Sequence, residues 1–180
     1  MNNNTFVHKY IRPLISKKDT VVDMTAGNGN DTLFLARLAK KVHAFDISET
    51  AIKRSKEKTK DFDNIEFHLT SHGNVDRYVR KDEACLFLFN LGYLPGSDED
   101  TCTEKNETLK AFKKAYALLK DKGYLIVTFY LRQKGGYEEY YLLDDYIKKN
   151  RFQILETYSQ QKMDSPITYI IYKDQSKTEL

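Results

Sequence analysis

Cysteine is scarce in this sequence. Only two of the 180 residues are cysteine, Cys85 inside an apolar run and Cys102 in a polar one. They offer no disulfide framework and, with no histidines clustered along the chain, no zinc site. No metal is expected. Long apolar runs are missing as well. Nothing approaches the ~20 residues that a membrane-spanning helix needs, so no membrane partner is expected. The opening residues, "MNNNTFVHKY", lack the apolar core of a secretory signal, and the expected setting is the cytoplasm. Net charge is small, +3, and is no argument for nucleic acid. The basic residues do gather: Lys53, Arg54, Lys56, Lys58 and Lys60, then Arg77, Arg80 and Lys81, then Lys148, Lys149 and Arg151. Such runs are most often solvated helix faces, and a phosphate-contacting surface is the minority reading. No repeat, low-complexity segment or linker interrupts the chain. Its length suits one domain with a real core, read as residues 1–174 with a loose tail at 175–180.

What is present is an alternation of strand and helix patterns. "HKYIRPLI" predicts a short opening helix that stops near Pro13. Strands are predicted at 20–25, 41–47, 64–71, 83–89 and 124–131, with helices at 31–40, 49–62, 106–123 and 137–150. The fourth strand, "EACLFLF", is apolar throughout, as a strand covered on both faces should be. Gly123 is placed to cap the third of these helices. Two last strands, "FQILETYS" and "ITYIIYK", follow with no helix between them. The pattern predicts an α/β, Rossmann-like fold: a mainly parallel seven-stranded sheet with helices on both faces and a C-terminal antiparallel hairpin.

The turn "VVDMTAGNGND" between the first strand and the next helix is the most informative stretch. In doubly wound folds a glycine-rich turn there binds nucleotides. Gly27 and Gly29 let the backbone approach a ligand, and Asn30 or Asp31 can cap the helix. Thr32 stands where a dinucleotide fingerprint has its third glycine, and no G-K-[ST] follows, which excludes a Walker phosphate loop. Asp23, just before the turn, suits a ligand with an amine. Asp46 closes the second strand nineteen positions after Gly27, where a carboxylate accepts both hydroxyls of a ribose. Ile47 beside it can cover an adenine. A ribose, an adenine and an amine without phosphates describe S-adenosyl-L-methionine. The bland alternative is a capped helix and a surface aspartate. Ser71 and His72 follow the third strand on the same sheet edge and border the adenine in this reading, although a loop histidine is more often an ordinary surface residue.

"FNLGYLPG" leaves the fourth strand through Asn90, where another leucine would pack better. The stretch resembles the Asn-Pro-Pro-Tyr signature of amino-group methyltransferases, with Leu91 and Gly92 in place of the prolines. In that signature the Asn and a backbone carbonyl hold the target amine and the aromatic ring stacks on the base. The same roles fall here on Asn90 and Tyr93; the alternative is a capping Asn and a core Tyr.

"DMTAGNGNDTLFLA", "FNLGYLPG" and "GGYEE" together resemble a small bacterial family long labelled ribosomal-RNA methylases. The likeness runs over nearly the whole chain. It implies a single-domain class I methyltransferase that uses S-adenosyl-L-methionine. The family is associated with methylation of the tRNA wobble uridine at position 34, from 5-aminomethyl-2-thiouridine to 5-methylaminomethyl-2-thiouridine. The resemblance implies cofactor contacts from Asp23, Ala26, Gly27, Asn28, Gly29, Asp31, Asp46, Ile47, Ser71, His72 and Asn90. It implies catalytic roles for Asn90, Tyr93 and His72, and contacts with a tRNA anticodon stem-loop from His8, Lys9, Arg12, Tyr93, Arg132 and Lys134. The chain departs from the family after the fifth strand: "YLRQKGGYEE" has no histidine before its paired glycines, so no role passes to one. A proton acceptor is left open among His8, His72 and water. Methylation of a ribosomal-RNA base amine, a nucleoside-binding module without catalysis, and a homodimer also remain open.

Overall fold

Seven strands make one sheet: β1 (Thr20–Asp23), β2 (Lys41–Asp46), β3 (Ile65–Leu69), β4 (Ala84–Leu91), β5 (Tyr124–Phe129), β6 (Gln153–Tyr158) and β7 (Ile167–Tyr172). Their spatial order is β3-β2-β1-β4-β5-β7-β6. The structure is a computed structural model that describes residues 1–92, 105–160 and 162–177. Tyr93 and Cys102 lie outside the described residues, as do the last three positions of the expected tail. β3, β2, β1, β4 and β5 run parallel, and β7 lies antiparallel to both β5 and β6. The hairpin therefore closes one edge of the sheet, as expected.

Helices α1 (Asn3–Ile11), α2 (Asn30–Leu38), α3 (Glu49–Lys58), α4 (Lys105–Leu118) and α5 (Gly136–Lys149) surround the sheet. One face carries Val22, Phe45, Phe87, Phe89 and Val127 against Phe112 and Ala115 of α4 and Leu143 and Ile147 of α5. The other carries Val21, Val42, Leu86, Leu88 and Ile126 against Phe6 and Ile11 of α1 and Phe34 and Leu35 of α2. Successive residues of a strand thus enter opposite cores, which is why the central strands read as unbroken apolar runs. β1 has its sequence neighbour β2 on one side and β4 on the other. The chain changes direction there, and a crevice opens outside the carboxyl ends of these strands. Among the described residues no helix is long and apolar enough to cross a membrane.

Three local readings change. α1 begins at Asn3, five residues before the expected start at His8. Asn2 accepts the Thr5 N–H as its cap, and Asn3 is buried, donating to Thr168 Oγ1 at 3.0 Å and to the Pro166 carbonyl at 3.1 Å. The same segment stacks Phe6 on Tyr158 at 4.0 Å, and the Met1 carbonyl accepts from Tyr158 and Gln160. Gly123 does not cap α4, which ends five residues earlier. Instead the buried Lys173 donates its ammonium to the carbonyls of Tyr116, Ala117 and Leu119, satisfying orphan acceptors of the last turn. Residues 175–177 form a 3₁₀ turn, with the Gln175 N–H bonded to Asp121.

Candidate active site

The residues singled out in the sequence collect at the carboxyl ends of β1, β2, β3 and β4. The glycine turn crosses this edge. Gly29 stands before α2 with φ 75°, and no side chain caps the helix; neither Asn30 nor Asp31 has the capping role expected of it. A Cβ on Gly29 would lie 2.7 Å from the Ser55 backbone. Its missing side chain therefore admits α3, not a ligand. Gly27 has φ 50°, and its N–H donates to Asp46 at 2.9 Å.

Asp46 is oriented by the backbone. One carboxylate oxygen accepts from Gly27 and the other from the Ser48 N–H at 2.9 Å. Each oxygen keeps a second lone pair, so a diol can still be held. Beside it Ile47 is 52 % exposed and Leu69 55 % exposed, a bare apolar pair next to a fixed carboxylate. Asp23 is fully buried beneath the turn. It accepts from the Thr25 N–H and from the Thr32 hydroxyl at 2.6 Å. Burial and the nearby Asp31 charge push its carboxyl up to about 7. Asn28 and Asn30, at the rim of the turn, meet Arg54 and Lys58 of α3.

The centre of the crevice is a bonded set of side chains around Asp31, which is buried in the first turn of α2. One Asp31 oxygen accepts from Asn90 Nδ2 at 2.8 Å, and the other meets His8 Nε2 at 2.6 Å. A carboxylate can only accept, so the Asn90 amide is locked with its NH₂ toward Asp31. Its carbonyl oxygen, buried, has no hydrogen-bond partner among the described residues. The Asn90 backbone N–H donates to Thr25 Oγ1. His8 lies flat on Phe34, ring centroids 3.9 Å apart, with 27 % of its side chain exposed. Arg12 stands over the same Phe34 ring, and Lys9 is exposed on the next position of α1.

His72 is no surface residue. It is 7 % exposed, with Nδ1 donating to the Met24 carbonyl at 3.3 Å; Nε2 has no hydrogen-bond partner among the described residues. Burial holds its pKa below the usual imidazole value. Ser71 caps the turn that follows and donates to Glu107. Arg132 donates to the Met163 carbonyl, beyond the end of β5, and Lys134 is exposed nearby. Tyr130, Thr25 and Phe34 join the site without having been singled out in the sequence. Tyr130 sits just past β5 and donates to Asn4. Its place after a parallel strand on the same edge was the available signal; Phe34 gave none, being one apolar residue of a helix pattern.

A family model described as "Putative rRNA methylase" matches residues 42–173. The chain belongs to that family. A "putative methyltransferase" from Streptococcus mutans, solved in complex with SAH, shares the rRNA-methylase architecture seen here: 31 % identity, TM-score 0.86, covering 96 % of this chain and 98 % of that one. A "putative rRNA-methylase" structure from Clostridium thermocellum gives 34 % identity and TM-score 0.86, with the same coverage of 96 % and 98 %. The fold is that of class I methyltransferases. Among curated proteins, the chloroplastic tRNA (mnm(5)s(2)U34)-methyltransferase of Arabidopsis thaliana is 31 % identical over 147 residues, 73 % of this chain. This rRNA-methylase family chain spans 54 % of that relative's length.

Proposed function

We propose that the protein is an S-adenosyl-L-methionine-dependent N-methyltransferase acting on tRNA, converting 5-aminomethyl-2-thiouridine at wobble position 34 to 5-methylaminomethyl-2-thiouridine. The observation that carries this reading is the Asn90 carbonyl oxygen at the topological switch: buried, without a hydrogen-bond partner among the described residues, and locked by Asp31. An acceptor of that kind is costly to bury unless something bonds to it, and a primary amine is a donor of the right kind. The family and the Arabidopsis thaliana relative support the same class of substrate.

The residues present fit the cofactor. The Asp46 lone pairs suit a ribose diol, Ile47 and Leu69 a flat apolar base, and the backbone of Ala26 to Asn28 a close approach. When bound, the cofactor supplies a methyl group on an electrophilic sulfonium. The rest is alignment of the attacking nitrogen, from which proximity draws its rate. Asn90 Oδ1 accepts an N–H of the neutral amine and aims its lone pair. So held, the amine would take the methyl group by direct displacement, the carbon–sulfur electron pair being left on sulfur. The new secondary ammonium then sheds a proton. His8 is the acceptor the geometry favours: its Nε2–H donates to Asp31, which leaves the lone pair on Nδ1, and the ring is partly open to solvent. His72 is buried beneath Met24 and has no such access.

The test is methyl transfer by purified protein to tRNA bearing 5-aminomethyl-2-thiouridine and, in parallel, to ribosomal RNA. Methyl incorporation into the wobble nucleoside alone is expected. Asn90→Ala should bind cofactor nearly as well and lose turnover by roughly tenfold to a hundredfold, as an interaction formed mainly at the transition state does. Transfer to ribosomal RNA alone returns the older family reading. A wild-type rate for Asn90→Ala means the amine is held elsewhere.

A further inference from the structure

We propose that His43, Glu66 and His68 form a binding site for one divalent transition-metal ion of the zinc class, separate from the catalytic edge and independent of the proposed activity. Along the sequence these residues look unrelated. The parallel register of β2 and β3 puts His43 opposite Glu66 and Phe45 opposite His68, so all three project from one face of the sheet. His43 Nδ1 lies 3.0 Å from His68 Nε2 and 3.5 Å from a Glu66 carboxylate oxygen. The three donor atoms all fall within 4.8 Å of one another. Zinc sits about 2.0–2.2 Å from nitrogen and oxygen ligands, so two donors that share it stand roughly 3.0–3.5 Å apart for bond angles of about 90–115°. The spacing from His43 to its two neighbours already meets that condition.

A second observation points the same way. His43 Nε2 is buried with no hydrogen bond among the described residues, and a carboxylate oxygen of Glu83 is 3.5 Å off. If Nδ1 gives its lone pair to a metal, the ring proton must sit on Nε2, facing Glu83. A carboxylate behind the ligating ring is how metal-bound histidines are usually oriented. Lys41 bonds the other Glu66 oxygen at 2.9 Å. It leaves one carboxylate oxygen for the ion but opposes its charge. Glu66 is exposed, and Tyr78, 43 % exposed, covers His68; an ion enters from solvent and keeps water at its remaining position. Bound there, it joins the outermost strand to its neighbour.

The experiment titrates the chelator-treated full chain with zinc chloride alone, by calorimetry and by thermal melting. One ion per chain and a raised Tm are expected. His68→Asn and Glu66→Gln, at positions outside the fully buried core, should each weaken zinc binding at least tenfold, whereas Lys41→Gln should tighten it. His8→Asn should leave it unchanged. Absence of stoichiometric binding overturns the proposal. So does binding that survives both His68→Asn and Glu66→Gln, or binding lost with His8→Asn, which would put the ion at Asp31.

Discussion

Asp31 serves two neighbours at once, turning the Asn90 carbonyl outward with one oxygen and orienting the His8 ring with the other. Asp31→Asn cannot hold both in their present form: with its one carbonyl oxygen on the Asn90 NH₂, its own NH₂ faces His8 Nε2, which can accept only as the tautomer that carries its proton on Nδ1. Turnover should fall with that substitution even though the side chain keeps its size, and single-turnover methyl transfer would show it. Asp23, below, makes a different prediction. Its carboxyl is raised from 3.8 to about 7 in the folded protein. Between those values the native state holds a proton that the unfolded chain releases, so ligand-free stability falls as pH rises through that window. Asp23→Asn should flatten the slope, seen as the denaturant midpoint measured from pH 4 to 8; an unchanged slope would assign the pH dependence to other groups.

At the scale of elements, α4 depends on a side chain from the far end of the sequence. Lys173→Met keeps the apolar stem but strips three carbonyls of their donor. The loss should be roughly 1.5–3 kcal/mol, about what a hydrogen bond to a charged group contributes, measurable by urea unfolding. This cap could not be read along the sequence, because Lys173 and Leu119 meet only through the sheet. The strands were legible for the opposite reason: each carries its own apolar record of two covered faces. Gly27 and Asp46 were legible because their spacing is fixed by one strand–helix–strand unit. The start of α1 was not, since "NNN" looks like a loop until Thr168 supplies Asn3 with a partner. Nor was Asp31 as the hub of the site; its partners lie 23 and 59 residues away.

For the molecule as a whole, charge is arranged in a pattern that the net value of +3 conceals. The carboxylates of Asp23, Asp31 and Asp46 lie in or under the crevice, while exposed Lys9 of α1, Arg12 just after it, and Arg54 and Lys58 of α3 stand around it. If RNA lies across that rim, its affinity should drop steeply with added salt while cofactor affinity barely moves. Replacing Lys9 and Arg12 by Gln should lower the log–log slope by about 0.7–0.9 for each phosphate that is no longer neutralised. A flat salt response by filter binding would leave these cations as solvated helix faces.

His8 stands ahead of the sheet in the sequence, yet α1 is fastened by Thr168, Pro166 and Tyr158, in and beside the hairpin at the opposite end of the chain order. Domains generally fold as units during synthesis. With β1 to β5 and α2 in place, α1 already has Phe34 and the Val21–Val42 face to pack on, but it lacks its Asn3 and Phe6 fastenings until β6 and β7 are added. The hairpin is thus a clasp on the helix that carries His8, while the partners of Asp31 come from α1 and β4.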